Sequence, residues 1–467
     1  MKKFLDEDFL LNNKVGLELY QNYAKDEPIF DYHNHLNAKE IYEDKKFDTI
    51  TDLWLIDDEK HGDHYKWRLM RANGVDEFFI TGDASKKEKF IKWIETLSIS
   101  IGNPLHHWSN LELKKYFGID EPIKPIDACK YYDILNEKLS SLTVRKILEM
   151  SNVKVLATTN DPSESLEYHH KLKEENYSIK VVPTFRPDKA TNVYADGYLD
   201  YLKTLSTVSN IEITSYSTLL KALENRLLFF KENGSFICDH SVEDMVYTKL
   251  DKSEKEQLFS HIVESKEISK NDMLNLKMNI IGDLARLYHK YGFALQLHLK
   301  AIRNNSRRNY LRLGPDSGFD AINDQNIIKP LSRFFSDLDE SEELPKIILY
   351  SLDNNDLPLL AALGYCFQDG IIPGKIQIGP SWWFNDTKVG MEKQLEVISN
   401  FGLFYKFIGM VTDSRSFLSF ARHDYFRRVL CNYAGSLVEC GEIPFDMDML
   451  EKLIKGICFN NALNYFK

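Results

Sequence analysis

The sequence predicts an α/β protein built as a (β/α)8 TIM-like barrel, and three observations support this fold class. Short apolar runs rich in β-branched residues recur along the 467 residues, each followed by a polar turn and a helix-like segment. Such runs are typical of strands buried on both faces of a parallel sheet. Eight runs are present, which is the strand count of this barrel. An open, doubly wound sheet is the alternative, but no GxGxxG fingerprint follows the first run.

The eight predicted strands are spaced unevenly. The first ends near residue 36 and the second begins near residue 153, a gap far longer than one crossover helix requires. Helix-like patterns fall inside this gap at 66–73, 86–98 and 110–117. We therefore expect an N-terminal helix and first strand over 1–36, a mostly helical insertion over the barrel mouth at 37–150, and the remaining barrel over 151–467. The strands are predicted at 29–36, 153–159, 179–185, 236–240, 294–299, 347–352, 376–379 and 407–412.

Composition excludes several classes of protein. The formal net charge of −11 disfavours a nucleic-acid or anionic-membrane partner. Six cysteines without a CxxC pair indicate reduced thiols in a cytoplasmic protein. Acidic residues interrupt the N-terminal apolar stretch, and no apolar run is long enough to span a bilayer. We therefore expect a small-molecule partner, and the sequence leaves open whether the protein forms a homo-oligomer.

The first predicted strand ends in the tripeptide His33-Asn34-His35. Residues two apart on a strand point to the same face, so both imidazoles leave the strand tip in one direction. Imidazole is a common ligand of divalent transition metals, and barrels of this kind keep their chemistry at the carboxyl ends of the strands. An HxH tripeptide alone is equally typical of histidines with packing or surface roles.

Two further predicted strands end in residues that could join these histidines. His298 ends the fifth strand, and Asp413 follows the eighth. Each alone is more often a buried histidine or a helix cap, but together they favour a metal site around one mouth. Three imidazoles and a carboxylate suit Zn²⁺, Mn²⁺ or Fe²⁺. The fourth strand lacks a lysine for a bridging carbamate and the sixth lacks a histidine, which indicates one metal ion rather than two.

Several segments of the chain are distinctive. They are residues 31–36, 63–68 (DHYKWR), 71–74, 184–188, 297–298, 303–305, 314–320, 382–386 (WWFND) and 412–416. Through these segments the chain resembles, nearly from end to end, the uronate isomerases (glucuronate isomerases) of the amidohydrolase superfamily. The HxH tripeptide is shared by many hydrolases, whereas the DHYKWR and WWFND segments are much more specific to this family.

The resemblance implies an aldose–ketose isomerase that interconverts D-glucuronate with D-fructuronate and D-galacturonate with D-tagaturonate through an enediol. It implies one divalent metal ion, zinc before manganese or iron, held by His33, His35 and Asp413. His298 is expected in the same site as a ligand or substrate contact. Asp413 is expected to act as metal ligand, as proton-transferring base, or as both. Proton transfer and a metal-assisted hydride shift both stay open.

The resemblance also implies roles for residues around the metal. Arg415 is expected to stabilise the enediolate charge. Arg186 and Arg303 are expected to bind the substrate, with Arg186 on the C6 carboxylate, because a guanidinium suits bidentate recognition of a carboxylate. A surface or structural salt bridge is the alternative for Arg186.

Three aromatic or imidazole side chains complete the expected site. His64 and Tyr65 lie in the predicted insertion and are expected to open the sugar ring or shuttle a proton. Trp382 is expected to form an apolar wall that excludes water. Ordinary packing is the alternative for all three. Lys300 departs from the small residue expected after His298-Leu299, so we expect it to crowd or recharge the mouth.

Two other functions compete with the isomerase. A mononuclear metal-dependent hydrolase or deaminase shares the pattern of three histidines and an aspartate, but it is expected to carry an acidic residue or histidine at the sixth strand, and residues 347–352 include neither. A non-catalytic binder of sugar acids is expected to have an incomplete set of metal ligands, whereas the set here is complete.

Overall fold

The computed structural model describes residues 2–56 and 62–467, and its centre is a parallel β-sheet. Within this part of the chain, seven strands pair in the order β1-β2-β3-β4-β5-β8-β9, and β6 pairs with β7 in a separate antiparallel hairpin. The strands are β1 (Ile29–Asn34), β2 (Val153–Asn160), β3 (Lys180–Phe185), β4 (Ile237–Val242), β5 (Ala294–Leu299), β6 (Ala301–Ile302), β7 (Ala321–Ile322), β8 (Lys346–Ser351) and β9 (Ile376–Ile378).

The sheet forms because its strands are apolar on both faces. Every residue of β1, β4 and β5 is buried, as expected for strands covered on both sides. All seven strands lie within a few residues of the predicted positions, and all pair in parallel. The α/β fold class predicted from the sequence is therefore confirmed.

The prediction of an eighth strand at residues 407–412 is wrong, because these residues do not form a regular strand. These residues are buried, but the structure assigns them no strand, so the described sheet has seven strands rather than eight. Two features interrupt a backbone ladder there. Gly409 has a φ of +79°, and the Thr412 amide donates to Asp31 Oδ2 (3.2 Å) instead of to a neighbouring carbonyl. Directly after this segment, the Asp413 amide donates to the His33 carbonyl, which joins the chain to the end of β1.

Helices surround the sheet, and the predicted helices at 66–73, 86–98 and 110–117 correspond to α4 (His64–Ala72), α5 (Lys86–Ile99) and the second half of α6 (Pro104–Phe117). The α-helices of the described chain are α1 (Lys14–Leu19), α2 (Ala38–Tyr42), α3 (Ile50–Trp54), α4 (His64–Ala72), α5 (Lys86–Ile99), α6 (Pro104–Phe117), α7 (Ala128–Leu139), α8 (Val144–Met150), α9 (Glu167–Glu174), α10 (Asp188–Thr191), α11 (Tyr198–Ser209), α12 (Tyr216–Glu232), α13 (Lys252–Val263), α14 (Lys270–Tyr291), α15 (Arg307–Leu313), α16 (Ile328–Glu340), α17 (Leu357–Tyr365), α18 (Lys388–Phe401), α19 (Ala421–Glu439), α20 (Met447–Lys455) and α21 (Asn461–Tyr465).

The helices between β1 and β2 share one apolar core with the sheet. Trp54 of α3 and Trp93 of α5 belong to the same buried cluster as Leu295 and Leu297 of β5. Burial of such large side chains is the main favourable contribution to folding. Among the helices described, none is both long enough and apolar enough to cross a bilayer.

Candidate active site

All ten site residues predicted from the sequence line one cavity of about 380 Å³. The cavity lies at the carboxyl ends of the parallel strands, where β1 ends in Asn34 and β5 in Leu299. Phe47 and residues 52–56 and 62–65 also line it, so the chain between β1 and β2 contributes part of the wall. The predicted residues that meet there are His33, His35, His64, Tyr65, Arg186, His298, Arg303, Trp382, Asp413 and Arg415.

His33, His35 and Asp413 form a cluster that could hold a metal ion. The Nε2 atoms of both histidines lie 3.0 Å from Asp413 Oδ1. Backbone hydrogen bonds fix this arrangement: the Asp413 amide donates to the His33 carbonyl (3.1 Å), and the His35 amide donates to Ser414 (3.0 Å). Asp413 has a φ of +43°, a left-handed conformation that non-glycine residues rarely adopt outside constrained sites.

His298 reaches the same cluster from β5. Its Nδ1 lies 2.6 Å from Asp239 Oδ1, and its ring stacks on Tyr350 with centroids 4.3 Å apart. The second Asp239 oxygen is 3.8 Å from His33 Nδ1, so one buried carboxylate faces two of the predicted ligand histidines. A carboxylate of this kind fixes the orientation of a metal-binding imidazole. Asp239 was missed in the sequence, although it stands near the end of a predicted strand like the others.

Burial sets the protonation of two imidazoles in this cluster. It lowers the pKa of His35 to about 4 and also lowers the pKa of His298, so both imidazoles are neutral near pH 7. A neutral imidazole is the form that binds a metal ion. Burial raises the pKa of Asp413, but its hydrogen bonds with His33 and His35 outweigh this and hold it well below its usual range. Asp413 is therefore a carboxylate.

Arg186 stands directly after β3 and is held by two carboxylates. Its Nε donates to Asp188 Oδ2 (2.8 Å), and its Nη1 lies 3.0 Å from Asp239 Oδ2. Its Nη2 has no hydrogen-bond partner among the described residues, and the side chain lines the cavity. The guanidinium thus connects the cavity to the carboxylate that orients His298.

His64 and Tyr65 face the cluster from the N-terminus of α4. Asp63 caps this helix by accepting hydrogen bonds from the Tyr65 and Lys66 amides. The buried Lys66 ammonium lies 2.7 Å from Asp63 Oδ2 and donates to the Trp54 carbonyl (3.1 Å), which fixes the helix start. Burial lowers the pKa of His64 and raises that of Tyr65, so both are neutral at physiological pH.

Trp382 does more than form an apolar wall. Its indole Nε1 donates to Asp413 Oδ2 (2.6 Å), and its ring meets His298 edge-on at 4.7 Å. The next residue, Trp383, was missed in the sequence. It meets His64 edge-on at 5.6 Å and carries the Arg303 guanidinium over its ring face at 4.6 Å. The WWFND segment could have pointed to it.

Lys300 does not crowd the mouth, and that expectation was wrong. The side chain is buried and does not line the cavity. Its ammonium instead lies 2.9 Å from Asp353 and 3.0 Å from Asp356, beyond the end of β8. A φ of +70° at Lys300 turns the chain away from the line of β5.

The fold and this cluster define an α/β protein with a candidate metal centre at the carboxyl ends of a curled parallel sheet. A model of the glucuronate isomerase family matches residues 1–466. The chain therefore belongs to the glucuronate isomerase family, as its motifs predict.

Relatives and solved structures agree with this assignment. A uronate isomerase of Bacillus licheniformis is 49% identical over 469 residues, covering 100% of this chain and 98% of the relative. The uronate isomerase structure from Thermotoga maritima matches with a TM-score of 0.93 at 33% identity over 100% of both chains. The glucuronate isomerase structure from Caulobacter crescentus matches with a TM-score of 0.91 at 25% identity, covering 99% of this chain and 97% of that one.

Proposed function

We propose that this protein is a metal-dependent uronate isomerase that interconverts D-glucuronate with D-fructuronate and D-galacturonate with D-tagaturonate. The observation that carries the proposal is the convergence of His33, His35 and Asp413 in a cavity that arginines also line, in a chain that the family model matches over residues 1–466. A uronate is anionic, so a cavity with three guanidinium groups suits it despite the net negative charge of the chain.

The chemistry of these residues fits one divalent metal ion, which we propose to be zinc. His33, His35 and Asp413 would hold it, with His298 as a further ligand or a substrate contact. The Nε2 of His298 is buried and has no hydrogen-bond partner among the described residues, as expected of a nitrogen reserved for a ligand. When bound, the ion supplies Lewis-acid stabilisation of developing negative charge on oxygen.

We assign proton transfer to Asp413 and to the α4 residues that face it. By the enediol route, an aldose–ketose isomerisation removes a proton from C2 and returns it at C1, so it needs a base near C2 and a donor near the oxygens. Asp413 is a carboxylate and can accept the proton. Tyr65 and His64 are neutral and line the same cavity, so either can donate to a sugar oxygen during ring opening.

Three residues are assigned to the substrate itself. Arg415 would donate to the oxygens that carry the enediolate charge. Arg186 would bind the C6 carboxylate through its unpaired Nη2, with Arg303 as a second substrate contact. Trp382 would exclude water while its indole holds Asp413 in place.

The proposal extends to the organisation of the chain. Residues 1–36 contribute the first strand, 37–150 an insertion that covers the mouth, and 151–467 the rest of the barrel. Cavity-lining residues in α3 and α4 support the insertion. We further propose that the protein is cytoplasmic, binds neither nucleic acid nor a membrane, and can form a homo-oligomer.

The proposed function is tested by turnover of the purified, metal-containing protein. D-Glucuronate and D-galacturonate are supplied separately, and ketouronate is measured by coupling to an NADH-dependent ketouronate reductase. We expect turnover of at least one sugar, and the ratio of rates gives the preferred substrate. A protein that turns over neither sugar but releases ammonia from purines or pyrimidines is a deaminase. Uronate binding by calorimetry without turnover would identify a binding protein.

A further inference from the structure

Residues 314–320 form one of the segments through which the chain resembles its family, but none of the roles assigned above falls on them. This segment belongs to the loop between β6 and β7, and one of its residues, Asp316, lines the cavity. Asp316 has a φ of +55°, so its backbone is held in a conformation that costs free energy for a residue other than glycine. Such conformations persist where the surroundings impose them and are frequent at functional sites.

The Asp316 carboxylate faces two arginines that line the same cavity. Arg415 Nη2 donates to Asp316 Oδ2 (2.9 Å), and Arg303 Nη1 lies 3.8 Å from Asp316 Oδ1. Arg303 is further fixed by Asp320, whose Oδ2 is 3.3 Å away, and by the face of Trp383. For Arg415, Asp316 is the one carboxylate within ion-pair distance in the described chain.

The loop that carries Asp316 is fastened to α4. Arg71 donates to the Ser317 carbonyl (2.5 Å), and Arg68 donates to the Asp320 carbonyl (3.0 Å). Gly318, with a φ of +97°, lies so close to α4 that an added Cβ would stand 2.9 Å from the His64 carbonyl oxygen. The loop and the helix that presents His64 and Tyr65 therefore form one packed unit.

We propose that Asp316 is a positioning residue for the isomerisation: it holds the Arg415 guanidinium in the orientation that meets the substrate oxygens and ties that orientation to α4. The inference rests on the proposed function, because the orientation of Arg415 affects turnover only if Arg415 acts on a uronate. Arg415 stands two residues after Asp413, so a guanidinium fixed in place faces the cluster around which the enediolate would form.

Charge supports this role. Burial raises the pKa of Asp316, but Arg415 and Arg303 outweigh it and lower the pKa to about 2, so the carboxylate is ionised at any working pH. An ionised carboxylate and a guanidinium make a strong, directional hydrogen bond. An arginine without that partner keeps its charge but loses its fixed direction, and preorganised donors are what stabilise a developing oxyanion.

The test compares Asp316→Asn and Asp316→Gly with the wild type, all metal-loaded. Both replacements tolerate a positive φ, so the loop conformation is retained. We expect kcat to fall about 10- to 100-fold, as when a partner of an active-site residue is removed. KM should change less than threefold, with metal content unchanged. Glu175→Gln is the matched control, because Glu175 pairs with Arg145 at 2.6 Å with similar exposure and neither residue lines the cavity.

A second background separates positioning from mere structural support. In Arg415→Met, which has no guanidinium to orient, adding Asp316→Asn should lower kcat no further. A further fall of the same size as in the wild type would show that Asp316 does not act through Arg415 and would overturn the inference. So would kcat within twofold of the wild type in both Asp316 variants. Absence of wild-type turnover on any uronate would instead refute the proposed function, and the positioning role with it.

Discussion

Two halves of the cavity are built by different means. One half, the strand-end group, sits on strands or on the segments directly after or beside them; its members are His33, His35, Asp239, His298 and Asp413. His33, Asp239 and His298 are buried, whereas His35 and Asp413 are partly exposed. The other half, the facing group, sits on a helix start and loops and is more exposed; its members are His64, Tyr65, Arg303, Asp316 and Arg415.

The difference indicates a division of labour. Backbone hydrogen bonds hold His33, His35 and Asp413 in place, and burial holds His33, Asp239 and His298, which leaves little freedom for these side chains. The facing group is held by a helix cap and by ion pairs on partly exposed side chains. A substitution in the first group should therefore change metal binding, whereas one in the second should change turnover with the metal retained.

The largest effect is expected from His33→Asn. Loss of one imidazole from the cluster should release the metal and lower kcat/KM by a factor on the order of 10³, because Lewis-acid stabilisation is worth several kcal/mol. Metal content and turnover are measured together. His240→Asn is the control: His240 is also buried on a strand but hydrogen-bonds Tyr288 and does not line the cavity. Full metal occupancy in His33→Asn would contradict the assignment of metal binding to the strand-end group.

Tyr65→Phe tests the facing group. Removing the hydroxyl should lower kcat about 100-fold, which is the size of a lost general acid or base. Metal content should stay at the wild-type level, since Tyr65 is on α4 and outside the cluster. Tyr132→Phe serves as the control on a buried tyrosine away from the cavity. Coupled loss of metal in Tyr65→Phe would mean that the two halves are not independent.

Asp239→Asn sharpens the account of the strand-end group. Since Asp239 orients His298 and faces His33, its neutralisation should weaken metal binding about 30-fold. Affinity is measured by competition with a chromophoric chelator. Asp188→Asn removes a carboxylate from the same Arg186 without contact to a ligand histidine, and it should leave the affinity within about threefold. Equal losses in both variants would assign the effect to Arg186.

Arg186→Lys asks whether a residue beside the strand-end group can act on the substrate. A lysine keeps the charge but has no planar group that can pair with Asp188 and Asp239 and still offer a further N–H to the substrate, so KM for glucuronate should rise about tenfold with the metal retained. Arg226→Lys, a buried arginine outside the cavity, is the control. An unchanged KM would remove Arg186 from carboxylate recognition.

Lys300→Met should have the smallest effect on activity. The ammonium pairs with Asp353 and Asp356 outside the cavity, so kcat and KM should stay within about twofold of the wild type. Removing one partner of a buried ion pair leaves charge unpaired and should lower the free energy of unfolding by about 3 kcal/mol. Denaturant unfolding and steady-state kinetics check both statements. A changed substrate preference would show that Lys300 does influence the mouth of the cavity.

The sequence predicts the strand-end group better than the facing group, for a physical reason. Parallel strands bring their carboxyl ends to one edge, so His33, His298 and Asp413 could be grouped from chain position alone. Asp239 was missed because its role is to contact the imidazoles of His33 and His298, and chain position does not encode such side-chain contacts.

The facing group depends on contacts that periodicity does not encode. Asp316 and Arg415 are about 100 residues apart and meet only because the loop between β6 and β7 packs on α4. The prediction of an eighth strand was wrong for a related reason. The Thr412 amide donates to the Asp31 side chain instead of to the backbone carbonyl of a neighbouring strand.

The most direct test of the account is a metal titration of the chelator-treated protein, followed by turnover of D-glucuronate. The account predicts that turnover disappears with the metal and returns in proportion to added Zn²⁺ or Mn²⁺, reaching a plateau at one ion per chain. Full turnover by metal-free protein would contradict a metal-dependent site at His33, His35 and Asp413. A plateau at two ions per chain would contradict the single-metal centre.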